Sequence, residues 1–339
     1  MNGGRKRPMN CKLQIEFETD KRAIHYDGSV YVKKNLSDAV LVADNLICIS
    51  FARKQPAKPS DLLDSPNSII RGELQKALCF YLGVCGQIPP VRSVLYSRGK
   101  QQHKIDYEHF TNTWKNCEID YPLLKDDASC IFSDQKLASK RYINLTYYLK
   151  AQLSKFSNDR FRSAWSGINS FFETEGCESN KIEKFRKSLA ESNLLFSTRL
   201  ISTLPDSFWD ELDWYSYIKK NIKNMNSICS WNHISDSWLL EKMLVHLEAY
   251  RNRFAEQNIQ MPDVSMLRRQ LTKKIEQKTV DYKARLIFLI CDYCYFLRNR
   301  SFHAGVPYPV FVISQKAETE GEKKLTELLI VLMKDLMQQ

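Results

Sequence analysis

Arg298, Asn299 and His303 span six residues in the stretch RNRSFHAG, 298–305. An imidazole titrates near neutrality, so it can take a proton from a hydroxyl and return one to a leaving oxygen. A guanidinium is a permanent, forked cation suited to charge that develops on a phosphate. Together the two groups meet the needs of a phosphodiester cleavage in which the 2′-hydroxyl of RNA is the nucleophile and no metal takes part. Arg300 and Ser301 lie between them as candidate substrate contacts, with Asn299 as a third catalytic candidate that orients its neighbours. The same residues also suit a plain helix terminus, with arginines on the last carbonyls and the histidine packed on the following loop.

The segment before the motif must hold it. Eleven of the twelve residues from Leu286 to Leu297 are apolar, with Asp292 the exception. A helix buried to that degree anchors its end rigidly. On one ideal helix, positions five apart point about 140° apart, so Arg298 and His303 do not share a face. Asn299 and His303 do, as does Asp292. Either the helix bends near Ser301, or a working site combines residues of two chains across a symmetric interface. Asp292 is either a satisfied core carboxylate or the group that orients Asn299 or His303.

The chain of 339 residues is 43% hydrophobic and 26% charged, which reads as globular and not disordered, and allows two ordinary domains or one large one. Its net charge of +11 favours a polyanionic partner, nucleic acid before acidic protein or membrane surface. Ten cysteines show no regular framework, and the basic opening MNGGRKRPMN carries no apolar stretch of a signal peptide. A cytoplasmic protein with reduced cysteines and no membrane span is therefore expected. Met9 offers an alternative start.

Residues 9–135 read as a mixed, β-weighted domain. KLQIEFE alternates, Asp27-Gly28 is a turn signal between β-rich flanks, and AVLVADNLICISF carries one or two further strands. FARKQPAKPSDLLDSPNS reads as a loop, IIRGELQKALCFYLGVCG as a helix ending at Gly86, and PPVRSVLYSRGK as a short strand. From Lys136 to the end, helical periodicity takes over, interrupted by GVPYPVFVIS at 305–314. Asn158 and Asp159 suit one helix start, and Ser235 another. The fold class expected is α+β: a β-weighted N-terminal domain followed by an all-α domain over 136–339.

A rigid apolar helix, an Arg-Asn pair and a histidine four residues after the asparagine resemble the HEPN superfamily. The ribonuclease members of that superfamily are small helical domains carrying Arg, a polar residue, three more residues and His. NDRFRSAWSGINSFFE (158–173) is similar, more loosely, to an early helix of that fold. The resemblance implies a HEPN-like helical domain, a metal-independent endoribonuclease acting on RNA, and a homodimer whose paired motifs form a composite active site. It also implies a phage-defence or toxin effector, with the N-terminal domain sensing a protein or nucleic-acid trigger or positioning RNA. Toxins of this kind with a modifiable tyrosine two residues after the histidine differ from this chain, which has Gly305 there. A non-catalytic module binding RNA or nucleotide, and a helical dimerisation scaffold, remain alternatives.

No cofactor and no metal site is expected. Cys291 and Cys294 form a Cys-x-x-Cys, but in an apolar helix without a second ligand pair, so they read as buried structural thiols. RGKQQH (98–103) repeats the Arg-to-His spacing in what reads as a polar loop, and is taken as a chance match. The C-terminal KKLTELLIVLMKDLM carries more apolar residues than one face buries, which favours a dimer.

Overall fold

Strict alternation in the first segment produces β1 (Met9–Phe17), whose Cys11, Leu13, Ile15 and Phe17 all point into a core. A computed structural model of the chain describes residues 9–33, 36–53, 62–63, 65, 68–107, 117–133, 136–171, 181–223, 231, 233–256, 264–303 and 320–339. The side chains of residues 33, 136–137, 157–158, 181, 223, 254 and 300–303 stand outside that description. Two compact units are present: Met1–Phe171 with Leu336–Gln339, and Phe172–Asp335.

The first unit is built on an antiparallel sheet. Its strands are β1, β2 (Ile24–Lys33), β3 (Leu36–Ala43), β4 (Leu46–Arg53), β5 (Val91–Arg98) and β6 (Gln101–Lys104), in the order β2-β3-β4-β1-β5-β6. β1 is central: Leu13 lies between Ile49 and Tyr96, and Ile15 between Ile47 and Val94. Helix α1 (Ile69–Cys85) buries Ile70, Leu74, Ala77, Leu78, Phe80 and Tyr81. The Ser68 side chain accepts from the Arg71 amide at its start, and Gly86, at φ 80°, ends it in the left-handed conformation that glycine adopts without strain. Tyr81 packs its ring against Phe17 and donates its hydroxyl to the Asp44 carbonyl at 2.6 Å.

Two sequence expectations fail here for identifiable reasons. Asp27-Gly28 is not a turn but the middle of β2, paired with Leu41 and Val40. The glycine serves a close approach: a Cβ there would stand 2.8 Å from the Tyr26 hydroxyl, which folds back to the Ser29 carbonyl. RGKQQH is a hairpin, not a loop, with the turn at Gly99 (φ 57°) and His103 on the exposed edge strand β6 opposite Tyr96. Most of FARKQPAKPSDLLDSPNS, and all of GVPYPVFVIS, lie outside the described residues.

After α1 come α2 (Lys125–Ser129), a 3-10 turn (Cys130–Phe132), α3 (Lys136–Leu153) and α4 (Ser157–Phe171). Asp159 sits in the first turn of α4, whereas the Asn158 side chain lies outside the described residues. α3 packs on α1. A Cβ at Gly83 would lie 3.2 Å from Leu145, and Lys76 sits over the Tyr142 ring. Compactness thus keeps 136–171 with the sheet, although periodicity changes at 136 and a domain boundary was expected there.

The second unit contains α5 (Lys181–Glu191), α6 (Leu195–Ser202), α7 (Asp206–Asp210), α8 (Trp214–Lys223), α9 (Ser237–Glu256), α10 (Ser265–Ile275), α11 (Tyr282–Ile287), a π-helical segment (Phe288–Cys294), α12 (Tyr295–His303) and most of α13 (Glu320–Met337). The α+β class therefore holds at the level of an antiparallel sheet followed by helices. Asp236, not Ser235, caps α9 by accepting from the Leu239 amide at 2.7 Å; Ser235 instead donates to Asp281. α13 buries its apolar residues around much of its circumference, among them Leu325, Leu328, Leu329, Ile330, Leu332, Met333 and Leu336. The apolar excess that suggested a dimer is covered within the chain. No described helix is long and apolar enough to cross a membrane.

One buried charge in the first unit gives a pH dependence. Arg53 pairs with buried Asp38 (Nη1 to Oδ1, 2.7 Å), while the neighbouring Glu73 carboxylate is buried with no partner that donates to it. Burial first, and the Asp38 charge second, push the Glu73 carboxyl up to about 8, so that the protonated acid can donate to Asp38. Folding then favours the protonated form. The stability this contributes is complete below the ordinary carboxyl range and is lost as pH rises through about 8. Glu73→Gln should match wild type near pH 5 and exceed it by about 2–4 kcal/mol at pH 8.5 in urea unfolding. A constant difference across that range would contradict this assignment.

Candidate functional site

The helix that carries the motif is buried before it reaches it. Phe288, Leu289, Ile290, Cys291, Tyr293 and Cys294 are all inaccessible, so the segment has no solvated face of ordinary width. Its backbone is π-helical, a conformation that occurs mostly as single turns within α-helices and often near functional sites. Aromatic packing fixes it. Phe288 stacks on Trp214 at 5.7 Å and meets the Tyr217 ring edge-on at 5.6 Å, while Phe296 meets Tyr217 at 5.7 Å. Tyr217 is fully buried, and its hydroxyl accepts from Trp231 Nε1 at 3.2 Å. Burial, with the Asp292 charge nearby, raises the Tyr217 hydroxyl well above its ordinary value.

Asp292 is answered on both oxygens. Arg186 of α5 donates Nη2 to Oδ1 at 3.0 Å, and His233 Nε2 lies 3.1 Å from Oδ2. Arg186 also pairs with Glu183. Asp292 is therefore a satisfied carboxylate tying two distant segments to the π-helical turn. It does not orient Asn299, whose Oδ1 accepts from Arg298 Nη1 at 2.9 Å. That bond points the Arg298 guanidinium, and both side chains are half-buried.

α12 is α-helical from Tyr295 to His303. The backbone thus keeps positions 298 and 303 about 140° apart around the axis. The side chains of Arg300, Ser301 and His303 lie outside the described residues. Cys291 and Cys294 are buried thiols whose burial raises their pKa, and no metal-sized group among the described residues includes them.

Three arrangements escaped the sequence reading. Arg186 and His233 lie 106 and 59 residues from Asp292, too far for any local pattern to join them. On α8, the Tyr215 ring packs against Tyr250 at 5.2 Å, with Arg253 at 5.2 Å and Lys219 at 5.9 Å over its centre. Arg253 belongs to YRNRF (250–254) of α9, in which Tyr250 is buried, Arg251 half-buried and Asn252 and Arg253 exposed. In the first unit, His25, Asp44 and Cys85 place one ligand atom each within 4.8 Å of one another. Comparison with protein-family models, with curated proteins and with solved structures finds no match to this chain.

If Asp292 holds the motif helix in place, removing it leaves the largely buried Arg186 guanidinium with only the exposed Glu183 and unties His233. Asp292→Ala should lower the unfolding free energy by about 3–5 kcal/mol in chemical denaturation. A loss below about 0.5 kcal/mol would show the carboxylate to be solvated and the tie to be idle.

Proposed function

We propose that this chain is a metal-independent endoribonuclease of the HEPN type, with Arg298, Asn299 and His303 at its reacting centre. The observation that carries the reading is the hydrogen-bonded, half-buried Arg298–Asn299 pair at the end of a helix anchored by an inaccessible π-helical segment. His303 moves the proton of the 2′-hydroxyl, Arg298 stabilises the charge on the phosphorane-like transition state, and Asn299 keeps the guanidinium aimed. Arg300 and Ser301 contact the RNA backbone. The reacting centre in this reading is composite, formed by two copies in a homodimer, because positions five apart on the α-helical α12 face about 140° away from each other. A role as a phage-defence or toxin effector, triggered through the first unit by a protein or nucleic acid, follows from the family resemblance.

A second reading has its own support. Arg298 and the net charge of +11 equally suit binding of RNA or nucleotide without chemistry. With α13 covered within the chain, the dimer rests on the angle between positions 298 and 303 and no longer on that helix.

Labelled RNA incubated with the purified protein in EDTA decides between them. Cleavage should leave 2′,3′-cyclic phosphate ends, and DNA should be untouched because it lacks the nucleophile. Arg298→Ala and His303→Ala should each lower the rate by roughly 10²–10⁴ without loss of fold. Asn299→Ala should cost less, and His103→Ala nothing. Cleavage that requires an added metal, or full activity in His303→Ala, would end the ribonuclease reading. RNA binding without cleavage would select the second.

A further inference from the structure

The cluster of His25, Asp44 and Cys85 joins three elements of the first unit: the edge strand β2, the turn between β3 and β4, and the last residue of α1. Their donor atoms are an imidazole nitrogen, a carboxylate oxygen and a sulfur. His25 Nε2 stands 2.7 Å from Asp44 Oδ1, and the group is half-buried. Backbone bonds and Tyr81 fix Asp44, and the Tyr81 hydroxyl also lies against the Cys85 thiol. The second Asp44 oxygen accepts from the Ala23 amide at 2.8 Å. The Asp44 amide donates to the Ala23 carbonyl at 3.0 Å, and the Asp44 carbonyl accepts from Tyr81 at 2.6 Å. Asp44 is thus fixed from three sides with one oxygen left toward His25 and Cys85. Gly86 ends α1 directly after Cys85, which lets the chain turn away from the cluster.

From this geometry we infer that His25, Asp44 and Cys85 bind one zinc ion, with a fourth position open to solvent. Zinc takes N, O and S donors at about 2.0–2.3 Å in a tetrahedron, so its ligand atoms stand about 3.3–3.8 Å apart. The 4.8 Å envelope meets that separation with small rotations, provided the His25–Asp44 hydrogen bond opens to admit the ion. A sulfur donor with an imidazole selects zinc over magnesium or calcium, which prefer all-oxygen shells. Bound there, the ion ties the free edge of the sheet and the β3–β4 turn to the end of α1. The thiol must lose its proton to bind. The inference concerns the first unit alone and is independent of the ribonuclease reading.

The full chain, purified from zinc-supplemented cells, should retain about one zinc per chain by elemental analysis. After stripping, Co²⁺ alone should give a thiolate-to-cobalt charge-transfer band, and Zn²⁺ alone should raise the Tm. Cys85→Ser should abolish the band, and Cys85→Ser and His25→Gln should each weaken Zn²⁺ binding more than ~100-fold, since even second-shell changes cost about 10–100-fold. Cys130→Ser should change neither. The inference is overturned by wild-type protein that holds no zinc and shows no charge-transfer band, or by a band that survives in Cys85→Ser. Should Cys85→Ser fail to fold, the wild-type band and the His25→Gln titration carry the same decision.

Discussion

A carboxylate inside an apolar helix must be answered by the rest of the protein, and the answer to Asp292 organises the second unit. Arg186 and His233 reach it from separate segments, so that α5, the turn before α9 and the π-helical segment are held in one arrangement. Desolvating three charged or polar groups costs several kcal/mol, offset only while all three meet. The pairing therefore fixes the rotation of the helix more than it adds net stability. The aromatic rings of Trp214, Tyr217 and Phe296 complete the hold. What emerges beyond Tyr295 is a helix end whose direction is set by the core and not by solvent.

That constraint explains why a small motif can be significant on this chain. The Arg298–Asn299 bond holds the guanidinium on this helix end, and in the proposed ribonuclease that aims it before substrate arrives. In the proposed mechanism this pre-organisation stands in for a metal. The proposal of a composite site rests on the same helix: five residues of α-helical backbone put positions 298 and 303 about 140° apart around the axis.

The parts legible in the sequence were those with local physical causes. Alternation gave β1, the Gly86 stop gave the end of α1, and the apolar run 286–297 marked the buried helix. Asp27-Gly28 misled because a glycine required by the Tyr26 hydroxyl has the same letter as one required by a turn. The α13 pattern misled because a helix packed over most of its surface and a helix seeking a second copy have the same composition. Arg186, His233 and the His25–Asp44–Cys85 group were invisible, since only the folded chain brings them together. Asp236 displaced Ser235 as the α9 cap because Ser235 is engaged by Asp281.

The central claim is that Arg298 of one copy works with His303 of another. Mixing Arg298→Ala and His303→Ala proteins, after dissociation and reassembly, tests it most directly. Half of the reassembled dimers are mixed, and each mixed dimer holds one intact pair, so RNA cleavage should return to about a quarter of the wild-type rate. A mixture no more active than either variant alone would contradict the composite site.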